Sequence, residues 1–177
     1  GVSIIRYRDV AGAKQYLDEA LSILRPSGRT KWLAVALLYA GMSRLRGEDL
    51  QAAQALLEEA LALLKALGDV GMDGFCETEL AVVAFLAGQM AEAISRARRA
   101  VEMSRRHDAL TAEFFALHSL AGCLILDNQI EPGRAAALEA FELSRALGNM
   151  GLPGPNYQLA LVLAVHGETD TAARLAG

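Results

Sequence analysis

The sequence predicts an all-α protein, a right-handed α–α superhelix of four to five stacked helix hairpins. Three observations carry that prediction. Ala20, Ala60, Ala100 and Ala140 lie forty residues apart, and the residues after them recur in step: Leu21, Leu61, Val101 and Phe141. A second small-residue row, Ala13, Ala53, Ala93 and Gly133, keeps the same spacing and reappears as Ala172. Gly28, Gly68 and Gly148 fall on the grid too, with Asp108 in the remaining slot. A period of this length marks a chain that stacks one helical unit repeatedly. Composition agrees: 53% of the 177 residues are hydrophobic but only 6% aromatic, the excess being Ala and Leu. Both are strong helix formers. The chain reads as one domain of units spanning about 1–28, 29–68, 69–108, 109–148 and 149–177.

Each unit resolves into two helices, A and B. The first unit contributes mainly Val10 to Arg25. In the second, helix A runs from about Trp32 to Arg46, and Gly47-Glu48-Asp49 makes the turn, with Asp49 placed as an N-cap acceptor. Helix B follows from Leu50 to Leu67, with Ala53, Leu57, Ala60, Leu61 and Leu64 at helical spacing. Gly68 ends it, free to adopt the left-handed conformation. The third unit repeats the plan with helix A from Gly74 to Ala87 and helix B from Met90 to Arg106. In the fourth, helix A covers Leu110 to Leu126 and Pro132 opens helix B, where a missing N–H does no harm. The fifth opens at Pro155, turns at Gly167 and stops within helix B. With no initiator Met and Gly1 falling inside a helix pattern, the chain reads as a piece of a larger protein.

Two antiparallel helices cannot bury their apolar faces alone, so successive pairs must stack. The small residues let helix axes approach closely, and Leu17, Leu57, Leu21, Leu61, Val101 and Phe141 fill the gaps.

These rows resemble the tetratricopeptide repeat, which has a small residue in the middle of helix A and two alanines in helix B. Gly41, Ala81, Ala121 and Ala160 match the first position; Ala53 with Ala60, and Ala93 with Ala100, match the pair. The resemblance covers nearly the whole chain. Two departures stand out: the period is forty rather than about thirty-four, and Glu77 and Asn156 replace a bulky apolar residue of helix A. Longer units of this kind are similar to the repeats at the C-terminal end of large bacterial signalling ATPases and transcriptional regulators. There the array acts as a sensor or interaction platform, while nucleotide and DNA binding sit elsewhere.

The resemblance implies a concave groove lined by one face of every helix A. By phase, its residues are Leu38, Met42, Leu45, Phe75, Thr78, Val82, Phe85, Phe115, His118, Ile125, Tyr157 and Leu161. An apolar row of this kind suits an amphipathic helix or another apolar segment. The alternative is a groove filled by longer helices or by other parts of the same chain. Leu38 and Met42 stand where arrays that clamp an acidic chaperone tail carry Lys and Asn, which argues against that specificity. His118 is open to two readings, a hydrogen-bonded packing residue, which is favoured, or a pH sensor or ligand anchor.

Arg96, Arg98, Arg99, Arg105 and Arg106 form a dense basic run on the third helix B. Glu92 and Glu102 lie four residues before Arg96 and Arg106, the favourable order for helix pairs. With no interleaved aromatics, the run reads as a solvated face rather than a phosphate-binding stripe. Docking of an acidic partner is the lesser alternative.

Other classes are disfavoured. The net charge of −4 gives no pull toward nucleic acid. The longest apolar run, Trp32 to Met42, falls short of the roughly 20 residues needed to span a bilayer. No basic leader precedes an apolar stretch, so a cytoplasmic location is expected. Cys76 and Cys123 have no metal-type spacing and read as buried free thiols. No Gly-x-x-x-x-Gly-Lys-Ser/Thr loop, Gly-x-Ser-x-Gly elbow or zinc-spaced His pair occurs. The expectation is therefore a non-catalytic protein-interaction scaffold without cofactor or metal. It would bind a protein or peptide, or another domain of its own chain, with self-association as a further option. The runner-up is a small-molecule inducer sensor that controls an attached ATPase. An oligomerisation module is the third reading.

Overall fold

The computed structural model describes residues 10–68, 71–148, 160, 163–164, 167 and 169–170. Among these it forms α1 (Val10–Leu24), a short 3-10 turn (Arg25–Ser27), α2 (Thr30–Arg46), α3 (Leu50–Leu67), α4 (Met72–Leu86), α5 (Met90–Arg106), α6 (Leu110–Leu126) and α7 (Ile130–Ala146), with no strand. The forty-residue period thus becomes successive helix hairpins, α2–α3, α4–α5 and α6–α7, stacked so that α2, α4 and α6 form one layer. This is an all-α helical-repeat superhelix, as the alanine grid predicts.

The grid residues do what their size allows. Ala53, Ala60, Ala93, Ala100, Ala137 and Ala140 are fully buried. At Gly41 even one extra methyl would lie 2.6 Å from Leu57 Cγ, and at Gly133 it would lie 2.5 Å from Ile125 Cγ1. Both values are below any real carbon–carbon contact, so the helices of each hairpin touch backbone to side chain at these points.

The turns repeat as faithfully as the helices. Between the two helices of a hairpin the backbone passes through a left-handed residue at Glu48, Gly88 and Asn128. The next N–H closes back onto the helix end: Asp49 N–H to Arg44 O at 3.0 Å, Gln89 to Ala84 at 2.9 Å, Gln129 to Leu124 at 2.8 Å. Asp49 does cap α3, accepting from Ala52 N–H at 3.1 Å. Between hairpins the left-handed residue is the grid residue, Gly28, Gly68, Gly148 and also Asp108 at φ +50°. Gly167 takes the same conformation in the fifth unit. Pro132 does not open α7 but occupies its third position, after Ile130 and Glu131. The first bonded amide is that of Gly133, to Gln129 O, so the proline ring still costs no hydrogen bond.

Two apolar cores run along the stack. One gathers Leu21, Leu37, Leu57, Leu64 and Leu80 from α1 to α4. The other gathers Ala97, Phe114, Leu117, Leu124 and Ile125 with Leu163. Cys76 and Cys123 are both buried free thiols, and burial pushes Cys76 up to about 12, which keeps it an unreactive thiol. Pro155, Asn156 and Ala172, singled out in the sequence, lie outside the described residues.

Candidate partner-binding groove

α4 and α6 pack side by side, and their outward faces leave a groove between them. Thr78, Val82 and Phe85 come to it from α4, and Phe115 and His118 from α6. Those five of the residues expected from phase line one cavity of about 320 Å³. Phe75 stands at its end, its ring 5.9 Å from that of Phe115.

The remaining expected residues are placed elsewhere. Met42 and Leu45 are half-buried against the core of α1 to α4. Leu38 is only 2% exposed and belongs to that core, so it is not groove surface. Ile125 is fully buried, although its grid counterparts Leu45 and Phe85 are half-exposed. The cause is across the hairpin. Where the second and third units have Ala53 and Ala93, the fourth has Gly133, and Ile125 turns inward into the space that an alanine methyl would fill. Tyr157 and Leu161 lie outside the described residues.

The cavity also has walls that the apolar row does not include: Glu79, Ser119, Gly122, Cys123 and Leu126. Gly122 is the decisive one. It sits on the grid position of Met42 and Val82, and a methyl added there would meet nothing within 4 Å. The cavity exists because the fourth unit omits the side chain that the second and third supply. Leu126 gives the cavity an exposed apolar wall, and its grid counterpart Leu86, beside Phe85 on α4, is exposed too.

Two ionisable groups share this space. His118 stacks on Phe114, ring centroids 6.4 Å apart, and its Nδ1 is buried without a hydrogen-bond partner. It is therefore not the hydrogen-bonded packing residue that the sequence favours. Burial lowers it to about 4, so the ring is neutral near pH 7. Burial raises the Glu79 carboxyl above its ordinary range, and the attraction of Arg46 only partly opposes that. Thr78 Oγ1 donates to Gly74 O at 2.9 Å, leaving its oxygen lone pairs toward other donors.

The basic run of α5 is largely engaged. Arg96 pairs with Glu92 at 2.7 Å and Arg106 with Glu102 at 2.9 Å, the two helix pairs expected from spacing. Arg105 bridges Glu113 and Glu139 on α6 and α7. Arg96 and Arg99 additionally face Glu77, so part of this face neutralises a buried carboxylate rather than standing in solvent.

Solved structures with the same arrangement are repeat proteins. BtubC (BKLC) from P. vanneervenii superposes with a TM-score of 0.74 at 19% identity, over 96% of this chain and 70% of that one. The fold is that of the tetratricopeptide-like repeats. A Podosopora anserina putative kinesin light chain with nearly identical TPR-like repeats gives 0.69 at 16% identity, over 94% and 82% of the two chains. MamA gives 0.60 at 15% identity, over 95% and 85%. No family model matches the sequence, and no curated protein sequence matches it. Among the described residues no cluster of His, Cys, Asp and Glu could hold a metal ion, and no helix is long and apolar enough to cross a membrane.

Proposed function

We propose that this chain is a non-catalytic interaction scaffold that seats a segment of a protein partner in the groove between α4 and α6. The observation that carries the reading is the cavity at Gly122, where the grid positions of Met42 and Val82 carry side chains, flanked by Val82, Phe85, Phe115 and the exposed Leu126. Apolar walls with a few polar groups at the floor are the pattern of helix-in-groove recognition. The forty-residue unit supports placing the scaffold within a larger bacterial signalling or transcriptional regulator.

A photo-crosslinking amino acid at position 82, in the intact protein in its own cells, tests this. The same group at exposed position 58 on α3 serves as the control. The expected result is a discrete crosslinked partner from position 82 alone, lost when Phe85 is changed to Arg. Equal crosslinking from both positions would overturn the reading.

A further inference from the structure

The cavity at Gly122 has a chemical bias that its apolar walls conceal. Its lining holds one carboxylate, Glu79, and no Lys or Arg. No hydrogen bond to that carboxylate forms among the described residues, and Arg46 does not compensate its burial. Thr78 has spent its proton on Gly74 O, and His118 is neutral. The walls therefore offer a carboxylate and further acceptors, with the Ser119 hydroxyl able to accept as well as donate and two aromatic rings, Phe85 and Phe115, beside them. A group rich in donors and positively charged satisfies all of these at once.

We propose that the cavity is a specificity pocket for the Lys or Arg side chain of an otherwise apolar partner segment, with Glu79 as the counter-ion. This rests on the groove being the docking surface. The exposed Leu126 takes the neighbouring apolar residues, and the long methylene stem of Lys or Arg passes Val82 to reach the carboxylate. A seated cation opposes the burial that raises the Glu79 carboxyl, so recognition and ionisation reinforce each other. Acidic segments are rejected by the same carboxylate.

The test uses fluorescein-labelled helical peptides of Leu and Ala with one variable central residue, Arg, Lys, Gln or Glu, read by anisotropy. The Arg and Lys peptides are expected to bind about tenfold or more tightly than the Gln peptide, as a charge-assisted hydrogen bond requires. The Glu peptide is expected to bind most weakly. In Glu79→Gln, an isosteric change with helicity checked by circular dichroism, that preference collapses. Gly122→Leu, which fills the cavity, abolishes it by a second route. Equal binding of all four peptides to the unaltered protein overturns this inference and leaves the groove reading standing. Absence of binding by any peptide at millimolar concentration overturns both. Displacement of the Arg peptide by free butylguanidinium at the peptide's own concentration would make the occupant a small cation and overturn the assignment to a protein segment.

Discussion

Arg96 on α5 places Nη1 3.2 Å from Oε2 of Glu77 on α4, and the Glu77 side chain is only 4% exposed. Lys65 from α3 and Arg99 from α5 approach the same carboxylate at 3.7 Å. Glu92 holds the two arginines together, 2.7 Å from Arg96 and 3.6 Å from Arg99. One buried anion thus ties three helices together. On the grid Glu77 occupies the place of Leu37 and Leu117, both deeply buried.

Replacing the two partners has unequal consequences. Arg96→Met leaves Glu77 in a low-dielectric site with only its two longer contacts, and is expected to cost about 1–3 kcal/mol. Glu77→Leu restores the residue type of the neighbouring units and frees cations that already reach water. It is expected to fall within about 1 kcal/mol of the unaltered protein, or to exceed it. Urea denaturation midpoints measure both, and a larger loss for Glu77→Leu than for Arg96→Met would contradict this account.

His118 makes stability depend on pH with a definite sign. The unfolded chain protonates this imidazole near its ordinary value of about 6.5, whereas in the fold it stays neutral down to about 4. Stability from the neutral ring is fully present above 6.5 and is lost as pH falls toward 4. The loss between pH 7.5 and 4.5 is up to about 3 kcal/mol. Glu79, with its carboxyl raised by burial, works in the opposite sense and is common to both proteins in the comparison. His118→Phe keeps the stack on Phe114 and removes the titration, so its stability is expected to fall less over that range. Parallel losses in the two proteins would refute the assignment.

The glycines of α6 and α7 are expected to respond oppositely to one methyl group. In Gly133→Ala the new carbon meets Ile125 Cγ1 at 2.5 Å, Ile125 N at 3.1 Å and Ala121 O at 3.3 Å. Backbone cannot rotate aside, and the loss is expected to be about 1–3 kcal/mol. Gly122→Ala meets open space within a helix and gains about 0.5–1 kcal/mol from helix propensity. Thermal melting of the two variants gives the signs directly, and a shift in the same direction would show that the spacing across the α6–α7 hairpin is not fixed by these contacts.

Much of the fold is legible in sequence because close helix approach tolerates only Ala or Gly at Ala53, Ala60, Ala93, Ala100 and Ala140. The boundaries of α3, α5 and α6 follow from the same grid, together with the left-handed residues that end each helix. The groove is less legible. Phase assigns Val82 and Phe115 correctly to one cavity but cannot tell that Ile125 turns inward, since that depends on Gly133 in the facing helix. Glu77 is visible as a departure from pattern, yet its partners come from two other helices. The cavity itself is an absence. Its one signal is Gly122 standing in the column of Met42 and Val82, and a missing side chain leaves no apolar residue to notice.

α4 belongs to both cores. Leu80 and Val83 face the N-terminal one, while Ala81 and Ala84 face the C-terminal one. Neither half can melt and leave this helix intact, because opening one strips Leu80 and Val83 and opening the other strips Ala81 and Ala84. The array is therefore not expected to fray unit by unit past this point, because α4 couples the two halves. Val82 lies on that same helix, so a partner segment seated beside it, as proposed, is expected to clamp both halves together and slow amide exchange well beyond its own footprint.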